Sequence, residues 1–399
     1  MARADAEVRV LGLTDMRTNE MARPFAELGS RARLLAVDSD RGLGAYADAY
    51  RSGVRRLSRW DAGAVLAYNG SGLLGAVGAL LSARCGVPFL IRQNGDVLRQ
   101  HREQLEAFAR RGEWLSFARF VRFALLTRAV YRYADGVVPV SEALTDVARE
   151  QTGCPRSRVR VVQNPIRADE FFESTAASES DAEGGQLLTV TNLDFRGKYR
   201  GAVDLLEALA PVLRDRPDLR YTIAGDGQYL GRLRDAVDDR IDDPGVRERI
   251  ELPGFVEGVA DLYAAADVFV YASYIDAYPN VVLEAQAAGL PVVTSPTSGI
   301  VEQVDHGESG YLIDPSDTAL FARRVTELLD DPTERECLGR NARRRVRSEN
   351  DPAVVGRRLY AAVRSIARDG RAARSPSARA RDDRVAPVER TDSRIGDSE

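Results

Sequence analysis

Short runs rich in Val, Leu and Ile recur along the chain with helix-length segments between them. Residues 8–13, 32–37, 64–68, 88–91, 136–140 and 158–162 make a first series of strand-like runs, and residues 187–191, 220–224, 250–252, 268–271, 291–294 and 311–313 make a second. A strand that is apolar on both faces must be covered on both faces, the condition of a parallel sheet held between two layers of helices. The alternation therefore predicts an α/β chain of two doubly wound, Rossmann-like domains. Residues 173–185 are small, polar and acidic and cannot bury much surface, so the boundary belongs there. We place the first domain at 1–168, a linker at 169–185 and the second domain at 186–349. From about Gly370 the sequence turns Arg/Ser/Asp/Pro-rich, which predicts a disordered tail over 370–399.

Composition removes several function classes. The apolar stretches, such as residues 64–81, are broken by Gly, Asn and Ser before reaching the roughly 20 residues a spanning helix needs. The first eight residues run straight into a strand pattern without the layout of a signal peptide, so a cytoplasmic location is expected. Cys85, Cys154 and Cys337 lie far apart and the only histidines are His101 and His306, which argues against a metal centre built on them. A net charge of -4 argues against a general nucleic-acid binder. All but one of the 56 basic residues are Arg, and the exception, Lys198, marks a position where Arg does not serve.

The strongest local pattern follows the strand at 268–271: Ala-Ser-Tyr-Ile-Asp-Ala-Tyr-Pro-Asn-Val-Val-Leu-Glu, then Gly289-Leu-Pro-Val-Val. Ligands of open α/β sheets bind in loops at the carboxyl ends of strands. Pro279 and Asn280 start a helix that Gly289 ends, and the free N–H groups at its start would face an anion such as a diphosphate. Asp276 lies just before that helix and Glu284 in its first or second turn, so two carboxylates bracket an anion site and can accept from sugar hydroxyls. Capping and dipole compensation are the alternative roles for both.

This stretch resembles the donor-site signature of the retaining glycosyltransferases of family 4, which have the GT-B fold of two Rossmann-like domains facing a cleft. That signature has two acidic residues eight apart, a Gly-Leu-Pro-Val-Val strand and a Gly-x-x-Glu turn, matched here by Asp276, Glu284, Gly289, Pro291, Gly299 and Glu302. The likeness is specific over residues 187–314 and only topological over 1–165. It implies that Asp276 holds hydroxyls of the transferred sugar and Glu284 the nucleotide ribose. The backbone of Ala277, Tyr278, Pro279, Asn280, Val281 and Val282 would meet the phosphates and sugar, with Glu302 also on the donor side. Asp276 stands where Glu is usual and Ala277 where Gly is usual, which leaves the sugar open.

A second stretch, Asn192-Leu-Asp-Phe-Arg-Gly-Lys-Tyr-Arg-Gly, is similar to the family's loop in which Arg and Lys grip the donor diphosphate before a helix begins. Lys198 is the expected charge and Arg196 its partner, with Arg200 able to take the Lys position instead. Two such cations can steady a departing nucleoside diphosphate without a metal. The turn Ala224-Gly225-Asp226-Gly and the segment Leu252-Pro-Gly-Phe255 match weaker family features, the latter near the base. In the first domain, Asn94 stands where the family often has His. It can bond a sugar but cannot act as a base, so either the leaving phosphate takes the acceptor proton or Asp96 assists. Ser141 and Asn164 match positions bordering the cleft, with helix capping and turn formation as the other reading. A last helix, within 350–369, crosses back to the first domain by the same likeness.

The reading that results is a retaining, metal-independent hexosyltransferase that moves sugar from a nucleotide diphosphate to a hydroxyl of a glycan or lipid-linked glycan. No cofactor and no nucleic-acid partner is expected. Residues 113–133 are the most aromatic part of the chain and interleave Arg119, Arg122, Arg128 and Arg132. They read either as a core helix with solvated arginines or as a helix in peripheral contact with the inner face of the membrane. A sugar-nucleotide epimerase and a non-catalytic sugar-nucleotide binder are the alternatives. A dinucleotide-dependent oxidoreductase lacks its glycine triplet after the first strand, and the only early metal-binding candidate for a GT-A enzyme, Asp38-Ser-Asp40, reads as a polar loop.

Overall fold

The computed structural model describes residues 8–15, 22–60, 62–169, 171 and 185–373, the last four by backbone alone. The linker at 173–184 and the tail from 374 lie outside the described residues. Two parallel sheets are present, as the two series of apolar runs require.

The first contains β1 (Val10–Asp15), β2 (Ala32–Val37), β3 (Ala64–Tyr68), β4 (Phe89–Gln93) and β5 (Gly136–Pro139) in the order β2-β1-β3-β4-β5. Around it lie α1 (Ala22–Glu27), α2 (Leu43–Trp60), α3 (Gly72–Cys85), α4 (Val97–Arg110), α5 (Trp114–Tyr133) and α6 (Thr145–Thr152). β3, β4 and β5 are buried along their whole length, which is why they carry no polar alternation.

The second sheet has the order β11-β10-β9-β6-β7-β8. Its strands are β6 (Gln186–Val190), β7 (Arg220–Ala224), β8 (Ile250–Gly254), β9 (Val268–Tyr271), β10 (Val292–Thr294) and β11 (Gly310–Leu312). Its helices are α7 (Arg196–Asp215), α8 (Leu230–Arg240), α9 (Pro244–Arg247), α10 (Ala260–Ala265), α11 (Asn280–Ala288), α12 (Thr318–Asp330) and α13 (Pro332–Glu349). The chain leaves β6 toward β7 and later returns to β6's other side as β9, so the crevice between the loops after β6 and β9 is the switch point of the sheet. The last helix, α14 (Pro352–Ala373), packs on α1, β3 and β5 of the first domain. Val355, Leu359, Val363 and Ile366 join the core beneath that sheet.

Two expectations need correction. Residues 158–162 do not form a strand: they make a single bridge, Val137 to Val159. Arg160 and Val162 donate N–H bonds to β5, but the carbonyls of Val162 and Gln163 are taken by the guanidinium of Arg92, which is wholly buried on β4. Nor is α5 wholly a core helix, although Val130 and Tyr131 join the core of the first domain and Leu126 packs against it. Of its 20 residues only Thr127, Val130 and Tyr131 are buried.

The two chain crossings between the domains are tied to each other. Ile166 N–H donates to the Asn350 carbonyl at 2.9 Å, and Asn350 Nδ2 to the Asn164 carbonyl at 2.8 Å. A continuous apolar cluster runs across this junction, joining Val140, Leu144 and Ile166 to Tyr278, Val282 and Ile300.

Candidate active site

α11 has the boundaries its sequence requires: Pro279 precedes its first residue and Gly289, at φ 81°, ends it in the left-handed region. Its N-terminus opens toward the crevice of the second sheet, and the loop before it carries Asp276. Across the crevice, α7 begins at Arg196, so Arg196 and Lys198 occupy the first turn of a helix rather than the loop before one.

Lys198 Nζ stands 3.2 Å from Asp276 Oδ1, each side chain about 15% exposed. Two glycines bring the two elements this close. A Cβ on Gly197 would lie 2.3 Å from Ile275 Cγ2, and one on Gly201 would lie 2.0 Å from the Ala272 carbonyl oxygen. Lys198 sits between them, on the face of α7 pressed against the 272–276 loop. Arg200, the other candidate for this charge, turns away: it is 3.9 Å from Asp204, and its guanidinium lies 4.6 Å over the Tyr274 ring. Arg196 is exposed, with no partner among the described residues.

Both carboxylates are held from beneath by buried tyrosines that the sequence hides inside apolar runs. Tyr271 Oη donates to Asp276 Oδ2 at 2.5 Å, and Tyr263 Oη donates to Glu284 Oε2 at 2.8 Å. Burial first, and the adjacent carboxylate second, push both phenols well above their usual value, so they remain donors at any ordinary pH. Each fixes one oxygen of its carboxylate, and the other oxygen of Asp276 faces Lys198.

The other expected donor contacts divide into scaffold and open surface. Asn192 Oδ1 accepts from Asp194 N–H and Asp226 Oδ1 from Gly227 N–H, so both side chains shape their own turns. Gly225 is packed against Thr191, where a Cβ would meet the carbonyl oxygen at 1.7 Å. Phe255, just past β8, is 77% exposed. Ala277, Tyr278 and Val282 are buried under the loop, while Asn280 and Val281 are half-buried at its rim. Glu302 is placed differently from the donor contact expected of it. Its two carboxylate oxygens accept from the backbone N–H groups of Glu142 and Ala143 in the first domain, at 3.0 and 3.1 Å.

From the first domain, Asn164 reaches the start of α11 directly. Its Nδ2 is 3.0 Å from Asn280 Oδ1 and 3.4 Å from the Tyr278 carbonyl, while its Oδ1 accepts from Arg92. Ser141 is wholly buried against this junction; its hydroxyl caps nothing and has no hydrogen-bond partner. Asn94 Nδ2 donates to Tyr68 Oη, and its Oδ1 is buried without a partner. Asp96 is the N-cap of α4, accepting from Arg99 N–H at 2.9 Å and from Gln151 Nε2 at 2.6 Å. A polar cavity of about 360 Å³ separates α4 from Phe195 and Arg196, bridged by Arg111 Nη1 to Gln228 Oε1 at 2.9 Å. Arg92, Arg111, Gln228 and Asn350 were not singled out from sequence. Each lies outside the motifs, and only the fold brings it to the cleft.

Residues 184–331 match the family model described as glycosyl transferases group 1, and residues 1–165 that of the glycosyl transferase 4-like domain. An uncharacterized glycosyltransferase of Methanocaldococcus jannaschii is 30% identical over 223 residues, 53% of this chain and 55% of that protein. The glycogen synthase of Mycobacterium tuberculosis is 29% identical over 248 residues, 62% of this chain and 58% of its own. The chain thus spans little more than half the length of these curated relatives. Anabaena HepE, solved with UDP and glucose, superposes with a TM-score of 0.66 at 18% identity, covering 90% of this chain and all of HepE, which shows a common fold.

Proposed function

Because the chain belongs to the glycosyltransferases of the GT-B fold, we propose that it moves a hexosyl group from a nucleotide-diphosphate sugar to a hydroxyl of a glycan or lipid-linked glycan, with retention and without a metal. The observation that carries this reading is the Lys198–Asp276 pair at the switch point of the second sheet, beside the N-terminus of α11. Asp276, steadied by Tyr271, accepts from the sugar's hydroxyls, and Glu284, steadied by Tyr263, from the ribose. The diphosphate lies against the first N–H groups of α11. As it departs, Lys198 exchanges part of its pairing with Asp276 for the developing phosphate charge, and exposed Arg196 closes on the other side. HepE has been solved with UDP and with UDP-glucose, which favours a donor of this class.

On the acceptor side Asp96 Oδ1 is held by Arg99 N–H and Gln151 Nε2 as a helix cap, and the Asn94 amide cannot take a proton. We assign the role of base to the departing phosphate, which would place nucleophile and leaving group on one face of the sugar and give retention. The acceptor is met at the inner face of the cell membrane; no described helix is long and apolar enough to cross one.

The test is incubation with labelled UDP-, GDP- and dTDP-sugars, with and without EDTA, following nucleoside diphosphate release and the anomer formed. Failure to release diphosphate from any donor would end the transferase reading. Loss of turnover in EDTA would end the metal-free mechanism, and interconversion of donor sugars without release would favour an epimerase.

A further inference from the structure

α5 is 20 residues long, contains four arginines and no acid, and buries only three side chains. At 100° per residue its outward arc holds Trp114, Leu115, Leu125 and Tyr133 among Arg119, Arg122, Arg128 and Arg132. Trp114, Leu115 and Leu125 are 65%, 74% and 62% exposed. None of the four arginines has an ion-pair partner among the described residues, whereas on neighbouring α4 Arg99 and Arg110 are paired with Glu103 and Glu106. A helix that keeps four cations unneutralised and large apolar side chains in water, on a chain of net charge -4, is built to meet an anionic apolar surface.

Beside that arc lies a cavity of about 350 Å³ between α4, α5 and α6, within the roughly 300 to 1,000 Å³ usual for small-molecule sites. Leu98, Leu105, Val121 and Leu125 give it an apolar wall, and Arg128 and Arg132 stand at its border. Its acids are Glu150 and Asp96, the latter already bonded to Arg99 N–H and Gln151. His101 lines it too, wedged between Phe120 and Phe123, 8% exposed, with Nδ1 lacking any hydrogen-bond partner. Buried polar atoms are rarely left so without a ligand or water to meet them. Arg102 borders both this cavity and the polar one facing Arg196, so the two adjoin along α4.

We infer that the α4–α5 cavity seats the phosphate and first chain carbons of a membrane lipid that carries the acceptor, with α5 lying on an anionic bilayer. The phosphate sits at Arg128 and Arg132, the chain runs along Val121 and Leu125 into the membrane, and the lipid's sugar reaches past Arg102 and Asp96 to the cleft. This rests on the transfer reading and makes its acceptor a lipid phosphate.

The experiment uses the full chain. Sedimentation with vesicles of phosphatidylcholine, alone or mixed with phosphatidylglycerol, reads the surface. Titration with decyl phosphate, inorganic phosphate and decyl glucoside reads the cavity. Binding is expected to the anionic vesicles and not the neutral ones, and to decyl phosphate well ahead of the other two probes. Each arginine near an anionic surface contributes about fivefold, so Arg119→Gln with Arg122→Gln weakens vesicle binding about 25-fold and leaves decyl phosphate binding intact. Val121→Trp, or Ala124→Phe if the former does not fold, removes decyl phosphate binding. Equal binding to neutral and anionic vesicles, inorganic phosphate binding as tightly as decyl phosphate, or self-association through α5 in the absence of lipid would each overturn the inference. Donor turnover by the parent chain without lipid is read separately. A chain that turns over donor but ignores anionic vesicles loses only this inference, and one that binds vesicles and leaves every donor intact loses only the transfer reading.

Discussion

The two domains handle charge in opposite ways. In the second, the functional groups satisfy one another: Lys198 meets Asp276, Tyr271 braces Asp276 and Tyr263 braces Glu284. In the first, the arginines of α5 have no ion-pair partner among the described residues. A site whose charges are internally paired is set before its ligand arrives and exchanges contacts when it binds. A surface whose charges are left open depends on something outside the chain. The Lys198–Asp276 site is thus organised by the protein itself, whereas α5 keeps its charges open to a partner outside the chain.

The sharpest way to break that contrast is Lys198→Ala. It should lower kcat on the order of 10²-fold or more, because the leaving phosphate loses its nearest cation; activity within twofold of the parent would hand the role to Arg200. Next is Arg92→Met, which strands the carbonyls of Val162 and Gln163 and the amide of Asn164. Denaturant unfolding should show a loss of about 2 kcal/mol, and an unchanged midpoint would mean that the crossing segment does not need its buried cation. Tyr271→Phe should cost about 1 kcal/mol of transition-state stabilisation, roughly a fivefold fall in kcat/KM for the donor, since Asp276 loses one of its two braces. An unchanged kcat/KM would show that Lys198 alone orients the carboxylate.

The smallest effect concerns pH and the first domain. Burial holds the His101 imidazole below its usual 6.5, so the unfolded chain takes up a proton there before the folded one does. Its contribution is therefore complete above pH 6.5 and is lost as pH falls through that value toward the folded-state value. His101→Phe should flatten this part of the melting-temperature profile, and an identical slope would show that another group sets it.

How much of this was legible follows the same division. Both sheets were legible because a strand buried on both faces must be apolar throughout. The boundaries of α11 were legible because Pro279, Asn280 and Gly289 act on neighbours a few residues away. Residues 158–162 looked like a strand because three valines stand among their five residues. What denied them a ladder was Pro139 on the facing strand, which accepts from Val162 N–H but has no N–H to return to the Arg160 carbonyl, and no pattern within 158–162 records that. Tyr263 and Tyr271 were hidden for a related reason, since a buried phenol differs from any other core ring only by the atom it points at. Glu302 had the right spacing for a donor contact, but the approach of the other domain decided what its carboxylate meets.

The bonded crossings at Ile166 and Asn350 have a mechanical consequence. Two covalent strands joined at one place cannot separate there, so the domains turn about that place, and every point swings in proportion to its distance from it. Asn164 fastens the start of α11 beside this axle, while the far rim is latched by a single bond from Arg111 to Gln228. A wide swing of the rim then leaves the start of α11 nearly stationary, so under the proposed function an acceptor could be exchanged with the donor still in place.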